Sequence, residues 1–203
     1  MKVFLYVTLF VLLTVSCNPC ENETEVVQEK KDYSTKIKEA EKYCERKNLN
    51  KDFFFLIDLA EHSGYKRFFQ WDFNKKSFVD TFMVSHGCGN KPWGMYFTSE
   101  KAVVSNVPES HKSSVGKYII GQRGVSQWGI KVKYLLHGQE STNNNAARRA
   151  IVLHSWEMVN DNPVYPAGTP EGWGCPAVSN NSMRKIDKLL KGSNKRTLMW
   201  ILN

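Results

Sequence analysis

The sequence predicts a mainly β domain of the α+β class, with a few short helices at its periphery. Seven runs of apolar, aromatic or β-branched residues are separated by glycine, asparagine or lysine turns, which is typical of strands. Only two segments have the three- and four-residue apolar spacing of a helix. A chain of 203 residues that is 41% hydrophobic and 12% aromatic can form one well-packed core. We therefore expect a single folded domain.

The first element along the chain is typical of an exported protein. The apolar run of residues 3–15 follows a lysine and ends just before Ser16 and Cys17. This run is shorter than the roughly 20 residues that a membrane-spanning helix needs, so residues 1–16 are predicted to be a signal peptide. A small residue directly before a cysteine resembles the site at which bacterial lipoprotein precursors are cut. We expect Cys17 to be lipid-modified and to anchor the protein to a membrane of the cell envelope, facing the periplasm or the surface. An uncleaved N-terminal anchor is the alternative.

Residues 17–32 are predicted to be the tether between this lipid and the domain. The segment is acidic and carries asparagines, as a solvated spacer does. Cys17 and Cys20 form a Cys-x-x-Cys pair, but no second pair completes four zinc ligands. No metal site is predicted.

The elements of the domain, residues 33–203, follow in order. Residues 33–47 have apolar positions at helical steps, which predicts an amphipathic helix packed on the domain. A second helix is predicted over residues 182–190, with Ser182 as its N-cap and Gly192 just past its end. The seven predicted strands cover residues 53–59, 66–73, 78–85, 117–120, 130–136, 150–154 and 196–202.

The charge of the chain restricts its partners. The formal net charge is +8 and the pI is about 9.2. The lysines and arginines are scattered, with no basic stripe beside stacking aromatics, so nucleic-acid binding is not predicted. Attraction to anionic polymers or lipids of the envelope fits an exported protein better, and solvated lysines without a partner are an equally good explanation.

A cysteine and a histidine near the C-terminus are the residue types of a thiolate enzyme. Cys175 lies in the turn Gly172-Trp173-Gly174-Cys175, about twenty residues after His154. A cysteine becomes a strong nucleophile when a nearby imidazole takes its proton. The glycines permit a sharp turn that would direct the amides of Gly174 and Cys175 at an oxyanion. A small buried cysteine and a hydrogen-bonded structural histidine are the alternative, which the spacing alone does not exclude.

Four segments in order extend this pattern to most of the chain. They are Met83-Val84-Ser85-His86-Gly87, Ser105-Asn106 followed by residues 110–118, residues 143–154, and Trp173-Gly174-Cys175-Pro176-Ala177-Val178. From about residue 53 to residue 202, the chain resembles the L,D-transpeptidase catalytic domain of bacterial cell-wall enzymes, in its YkuD-type second subfamily. The resemblance implies an L,D-transpeptidase-like β-sandwich or barrel.

The resemblance also implies a reaction and the residues that perform it. Cys175 would be the acylated nucleophile, His154 its general base, and Ser155 the residue whose backbone carbonyl orients the imidazole. Gly174 and Trp173 would lie on the oxyanion side. The implied substrates are peptidoglycan stem peptides, which the enzyme crosslinks or remodels through a thioester. Neither a metal nor an organic cofactor is implied.

Further residues are candidates for the walls of a cleft. The strand-end His86 would contact substrate, unless the glycines beside it only form a turn. Several aromatic residues would line a glycan or peptide cleft or lie in the core and at its rim: Trp93, Tyr96, Trp128, Tyr134, Trp156 and Tyr165.

One departure from the family pattern leaves other functions open. The subfamily usually carries Arg-Ser before the tryptophan, where this chain has Glu171-Gly172. A catalytically inactive cell-wall-binding lipoprotein is therefore one alternative. An L,D-carboxypeptidase is a second, since water can take the place of the acceptor amine. A cysteine peptidase is a third, in which Asn160 or Asp161 would orient His154.

Overall fold

The computed structural model describes residues 31–94 and 101–203. The predicted signal peptide at residues 1–16, the lipidation site Cys17, Cys20, Tyr96 and nearly all of the tether at residues 17–32 lie outside the described residues. Within them, no helix is both long and apolar enough to cross a membrane.

The described residues contain one mixed eight-stranded sheet and two helices. The strands lie in the order β3-β2-β1-β8-β4-β5-β6-β7. The prediction of a mainly β fold with peripheral helices is therefore confirmed. The elements in chain order are α1 (Ser34–Arg46), β1 (Phe53–Asp58), β2 (Phe68–Asp72), β3 (Ser77–Phe82), β4 (Gly116–Val125), β5 (Val132–Gly138), β6 (Val152–Ser155), β7 (Ala177–Val178), α2 (Asn180–Gly192) and β8 (Leu198–Leu202).

Both faces of the sheet are covered where strand β1 lies. Every residue of β1 is buried, because its side chains alternate between two apolar clusters. Phe54 and Leu56 pack with α1 on one face, in a cluster that includes Ala40 of that helix. Phe55 and Ile57 belong to the cluster on the other face, which contains Met183 and Ile186 of α2. The two apolar clusters therefore stabilise the sheet from which the C-terminal loops extend.

Most element boundaries differ from those predicted by one or more residues, and two of the differences have a clear physical reason. Strand β4 continues to Val125, five residues past its predicted end at Ile120. The residues after Ile120 pair only with β5, so they lack the apolar pattern by which a buried strand is predicted. Helix α2 begins at Asn180, and its N-cap is Ser179, whose hydroxyl accepts a hydrogen bond from the Ser182 amide at 3.0 Å. Ser182 therefore donates its amide hydrogen bond to the N-cap residue and is not the N-cap itself.

Candidate active site

The short strand β7 places the predicted nucleophile beside the predicted base. It pairs in parallel with β6, with His154 opposite Ala177 and Ser155 opposite Val178. The His154 amide also donates to the Pro176 carbonyl at 3.4 Å. Cys175 therefore lies two residues before Ala177, the pairing partner of His154, just ahead of the start of β7. The sequence did not predict β7, whose two residues have no periodicity of their own.

Cys175 and His154 line one cavity of about 350 Å³, which we call the thiol cavity. The sulfur atom is fixed from the side of β6. The Val152 amide donates to Sγ at 3.4 Å, and Sγ lies 3.8 Å from the Ala150 carbonyl, to which the protonated thiol donates. The nucleophile is therefore half-buried and oriented, and its open side faces the cavity.

The imidazole of His154 is oriented by one backbone carbonyl. Its Nδ1 lies 3.0 Å from the carbonyl oxygen of Ser155. Because a carbonyl can only accept, Nδ1 carries the proton in this contact and Nε2 is left as the basic nitrogen. Ser155 is itself fixed, since its hydroxyl accepts a hydrogen bond from the Ile130 amide at 3.0 Å.

The carboxylate proposed for a peptidase-type triad is engaged elsewhere. Asp161 accepts hydrogen bonds from the hydroxyl of Ser179 and from Asn181 Nδ2, the latter at 2.7 Å. These contacts tie Asp161 to the start of α2. The orienting partner of His154 is the Ser155 carbonyl, so the geometry does not favour the cysteine-peptidase alternative.

Burial favours the neutral form of both candidate groups. Burial raises the pKa of the Cys175 thiol, while the Val152 amide and the positive charge of Arg149 act in the opposite direction. Burial lowers the pKa of His154, partly offset by the Ser155 carbonyl. A neutral imidazole can accept the proton of a neutral thiol as the thiol attacks, so the pair suits general-base catalysis and not a preformed ion pair.

This pair predicts the pH dependence of the reaction. The imidazole must be neutral to accept a proton, and its pKa lies below the ordinary value of about 6.5. The basic form therefore persists to lower pH and is lost only as the pH falls through the lowered pKa. We expect the acid limb of kcat/KM to lie below about pH 6.5, measured as a pH–rate profile with a stem-peptide donor. An acid limb above that value would contradict the assignment.

The turn before the nucleophile depends on Gly174. Its φ is +93°, and a Cβ at this position would lie 2.5 Å from the carbonyl oxygen of Lys112. The Gly174 carbonyl accepts a hydrogen bond from the Ser113 hydroxyl at 3.2 Å, and the same hydroxyl accepts from the Gly87 amide at 3.2 Å. The amides of Gly174 and Cys175 make no backbone hydrogen bond with the residues that the structure describes. They suit the predicted oxyanion role, which stays a prediction.

Adding one methyl group at Gly174 should displace the nucleophile. Gly174→Ala introduces both an unfavourable backbone conformation and a contact with Lys112 that the backbone must relieve by moving. A shift of about 1 Å in a reacting group lowers kcat/KM by about 100-fold. Gly192→Ala is the matched control, since nothing lies within 4 Å of its added Cβ. Equal steady-state rates for the two variants, with equal thermal stability, would refute this role of the turn.

Arg149 is a residue of the site to which the sequence assigned no role. Its guanidinium donates to the Ser105 carbonyl at 2.9 Å, to Ser110 Oγ at 3.3 Å and to the Lys112 carbonyl. A Cβ on Gly174 would lie 3.3 Å from its Nη2. Arg149 thus holds residues 105–112 in place beside the Gly174 turn, and it places a positive charge near the thiol. Its position within residues 143–154, one of the four family-like segments, was the available signal.

His86 lies outside the thiol cavity. Its side chain is only 2% exposed, and both ring nitrogens are occupied. Arg67 Nη2 donates to Nδ1 at 2.9 Å, so Nε2 carries the proton and donates to Glu171 Oε1 at 3.3 Å. Burial lowers the pKa of His86, which keeps it neutral. A direct contact with substrate stays a prediction, and the structure assigns His86 the clear role of holding Glu171.

Four tryptophans line the thiol cavity together with Cys175 and His154. Trp93 and Trp156 stack with ring centroids 5.5 Å apart, and Trp128 and Trp173 complete the set in the same cavity. Trp173 is 59% exposed and stacks on His111 at 5.3 Å. The indoles give the cavity a largely apolar surface beside the two polar reacting groups.

Two other aromatic candidates lie away from the thiol cavity. Tyr134 donates its hydroxyl to Asp187 at 2.7 Å, and Tyr165 stacks on Tyr65 at 4.6 Å. Among residues 31–94 and 101–203, no group of three or more histidine, cysteine, aspartate or glutamate side chains is placed to hold a metal ion.

Comparisons with known proteins agree with the family-like segments. The family model of the L,D-transpeptidase catalytic domain, YkuD-type second subfamily, matches residues 24–199. No curated protein sequence matches the chain. One similar solved structure is the helical cell shape determining protein Pgp2 from Campylobacter jejuni, with 11% identity, a TM-score of 0.45 and coverage of 79% of this chain and 54% of that chain. Another is the L,D-transpeptidase from Xylanimonas cellulosilytica, with 12% identity, a TM-score of 0.39 and coverage of 75% and 61%.

This chain spans less than two thirds of the length of either of these structures. The family match, in contrast, covers most of the sequence and confirms the resemblance that the four segments indicated. The chain belongs to the L,D-transpeptidase catalytic domain family.

Proposed function

We propose that this protein is a peptidoglycan L,D-transpeptidase that uses Cys175 as its nucleophile. The observation that carries the proposal is the thiol cavity, into which the Cys175 sulfur and the His154 imidazole open together. The Ser155 carbonyl leaves Nε2 of His154 as the base. Family membership supplies the reaction class, and peptidoglycan stem peptides are the proposed substrates.

The first half-reaction forms a thioester. His154 Nε2 takes the thiol proton as Cys175 Sγ attacks the carbonyl on the L-centre side of the stem-peptide bond. The amides of Gly174 and Cys175 stabilise the negative charge on that oxygen. The tetrahedral intermediate collapses, the bond to the terminal D-amino acid breaks, and the departing amine takes the proton from His154. The products are the acyl-enzyme and a free D-amino acid.

The second half-reaction depends on the acceptor. The side-chain amine of a neighbouring stem attacks the thioester, His154 removes its proton, and the sulfur leaves and is reprotonated. The result is a crosslink between the third residues of two stems. Water in place of the amine gives the L,D-carboxypeptidase product, and a free D-amino acid gives exchange.

The direct test is incubation of the full-length protein with purified disaccharide-tetrapeptide, beside a Cys175→Ala variant, with products identified by mass spectrometry. The proposal predicts a dimer that has lost one D-alanine, formed only by the protein with Cys175. A tripeptide alone would mark a carboxypeptidase. Unchanged substrate in both samples would support the inactive cell-wall-binding lipoprotein.

We also propose that the protein is exported and lipid-anchored through Cys17, supported by the apolar run of residues 3–15 and the Ser16-Cys17 pair. In a bacterial host fed a labelled fatty acid, Cys17→Ala should lose the label and leave the membrane fraction, since no other residue offers this attachment site. Cys20→Ala, three residues further on, should keep both. Retained labelling of the Cys17 variant would exclude this anchor.

A further inference from the structure

A second cavity adjoins the thiol cavity across one peptide segment. It has a volume of about 220 Å³, and we call it the lysine cavity after Lys91, Lys101 and Lys112 in its wall. Glu171 lines the lysine cavity, while the next residue, Gly172, lines the thiol cavity. Since consecutive Cα atoms are about 3.8 Å apart, little more than the backbone of this one peptide segment separates the two cavities.

The wall between the cavities is rigidly built. The Cys88 amide donates to the Gly172 carbonyl at 2.7 Å, and the Gly172 amide donates to the His86 carbonyl at 2.8 Å. The Gly89 amide donates to the His111 carbonyl at 3.2 Å. Three segments around residues 86–89, 111–112 and 171–172 are therefore joined to each other and to the loop that carries Cys175.

The charges in the lysine cavity favour an anion. Three lysines and one acidic residue, Glu171, lie in its wall. The carboxylate is already held by the neutral His86 at 3.3 Å and by Lys91 at 3.8 Å. The methylene groups of Lys112 run beside Gly89, because an added Cβ there would lie 3.1 Å from Cε and 3.5 Å from Cγ. Among the described residues of this wall, three lysines lie with one carboxylate, and the stem of Lys112 is positioned beside Gly89.

We propose that the lysine cavity binds a carboxylate of the stem peptide, with Lys101 and Lys112 as its cationic ligands. The inference rests on the proposed function, which supplies the substrate class. Stem peptides carry free carboxylates close to the scissile bond, and a peptide that crosses the segment at Gly172 reaches both cavities. The Glu171 side chain is committed to His86 and Lys91, so Lys101 and Lys112 are the proposed cations.

The test measures binding to the full-length Cys175→Ala protein, in which no turnover occurs. The probes are a tetrapeptide stem and versions of it in which the terminal, the D-glutamyl or the third-residue carboxylate is converted singly to a carboxamide. One of these changes should raise the dissociation constant about tenfold, as expected for a partly exposed charge-assisted contact. In the Lys101→Gln/Lys112→Gln background, the same change should have less than a twofold effect.

Lys75→Gln/Lys76→Gln is the matched control, because it removes the same two charges at an exposed turn between β2 and β3 and should keep the tenfold discrimination. The carboxamide position whose effect disappears identifies which carboxylate is bound. Discrimination that persists unchanged in the double lysine variant would overturn the inference, as would a stem peptide that binds equally well in all amidated forms or that does not bind at all.

The binding result is separable from the proposed function. Coupling between the lysines and one carboxylate, without any turnover by the protein that retains Cys175, would refute transpeptidation and support the carboxylate site. Turnover by that protein without such coupling would refute the carboxylate site alone.

Discussion

Cys175→Ala should abolish formation of crosslinked product, with a loss of at least about a thousandfold in kcat/KM. In the proposed reaction Sγ forms the covalent bond, and alanine leaves only the proposed oxyanion donors and the binding surface. Cys175→Ser keeps the shape of the side chain but offers a hydroxyl, which a histidine without a carboxylate partner activates poorly. We therefore expect serine to be nearly as inactive as alanine in a product assay by liquid chromatography.

The matched control for this loss is Cys44→Ala. Cys44 is also a free cysteine, but it is buried in the cluster between α1 and the sheet. Its variant should retain the rate of the unmodified protein, even if the small apolar void lowers its melting temperature. Substantial crosslinking by Cys175→Ala would remove Cys175 from the mechanism.

His154→Gln should lower kcat/KM by about a hundredfold to ten-thousandfold, the range for loss of a general base. Glutamine can still donate to the Ser155 carbonyl, which lies 3.0 Å from Nδ1 in the native protein, but its amide cannot accept the thiol proton. The residual rate should then rise with pH through the raised pKa of the Cys175 thiol, because thiolate must form without the base. A pH–rate profile of the variant measures this change of shape.

His137→Gln is the matched control for that profile. His137 is exposed on β5, with its ring beside Gly121, and does not line the thiol cavity. Its variant should reproduce the native profile. A His154→Gln protein that keeps both the native rate and the native acid limb would show that another group accepts the proton.

The fold was predictable where burial leaves a pattern in the sequence. Residues 53–57 are a continuous apolar run because both faces of β1 are covered. The outer end of β4 was missed, since its residues after Ile120 pair only with β5 and are mostly solvated. Strand β7 was missed for a different reason: two residues form it only because β6 is already in place.

The candidate pair of the site stands out in the sequence, whereas the contacts that hold it in place do not. Cys175 and His154 stand out because glycine turns and a strand end flank them in the sequence. The bracing contacts join residues far apart in the chain, as in the hydrogen bond from Ser113 to Gly174 and the pairing of His86 with Glu171. No local pattern in the sequence indicates contacts between residues so far apart. The same holds for Arg149, whose partners precede it by 37 to 44 residues.

The most direct test of the central claim is the mass of the acyl-enzyme. The full-length protein is mixed with a tetrapeptide stem that lacks an acceptor amine, quenched in acid within the first turnovers and examined by intact-protein and peptide mass spectrometry. We predict an adduct equal to the donor minus its terminal D-amino acid, located on Cys175 and labile to hydroxylamine. Product formation with the adduct on another residue, or with none on Cys175 in its quenched time course, would contradict the account.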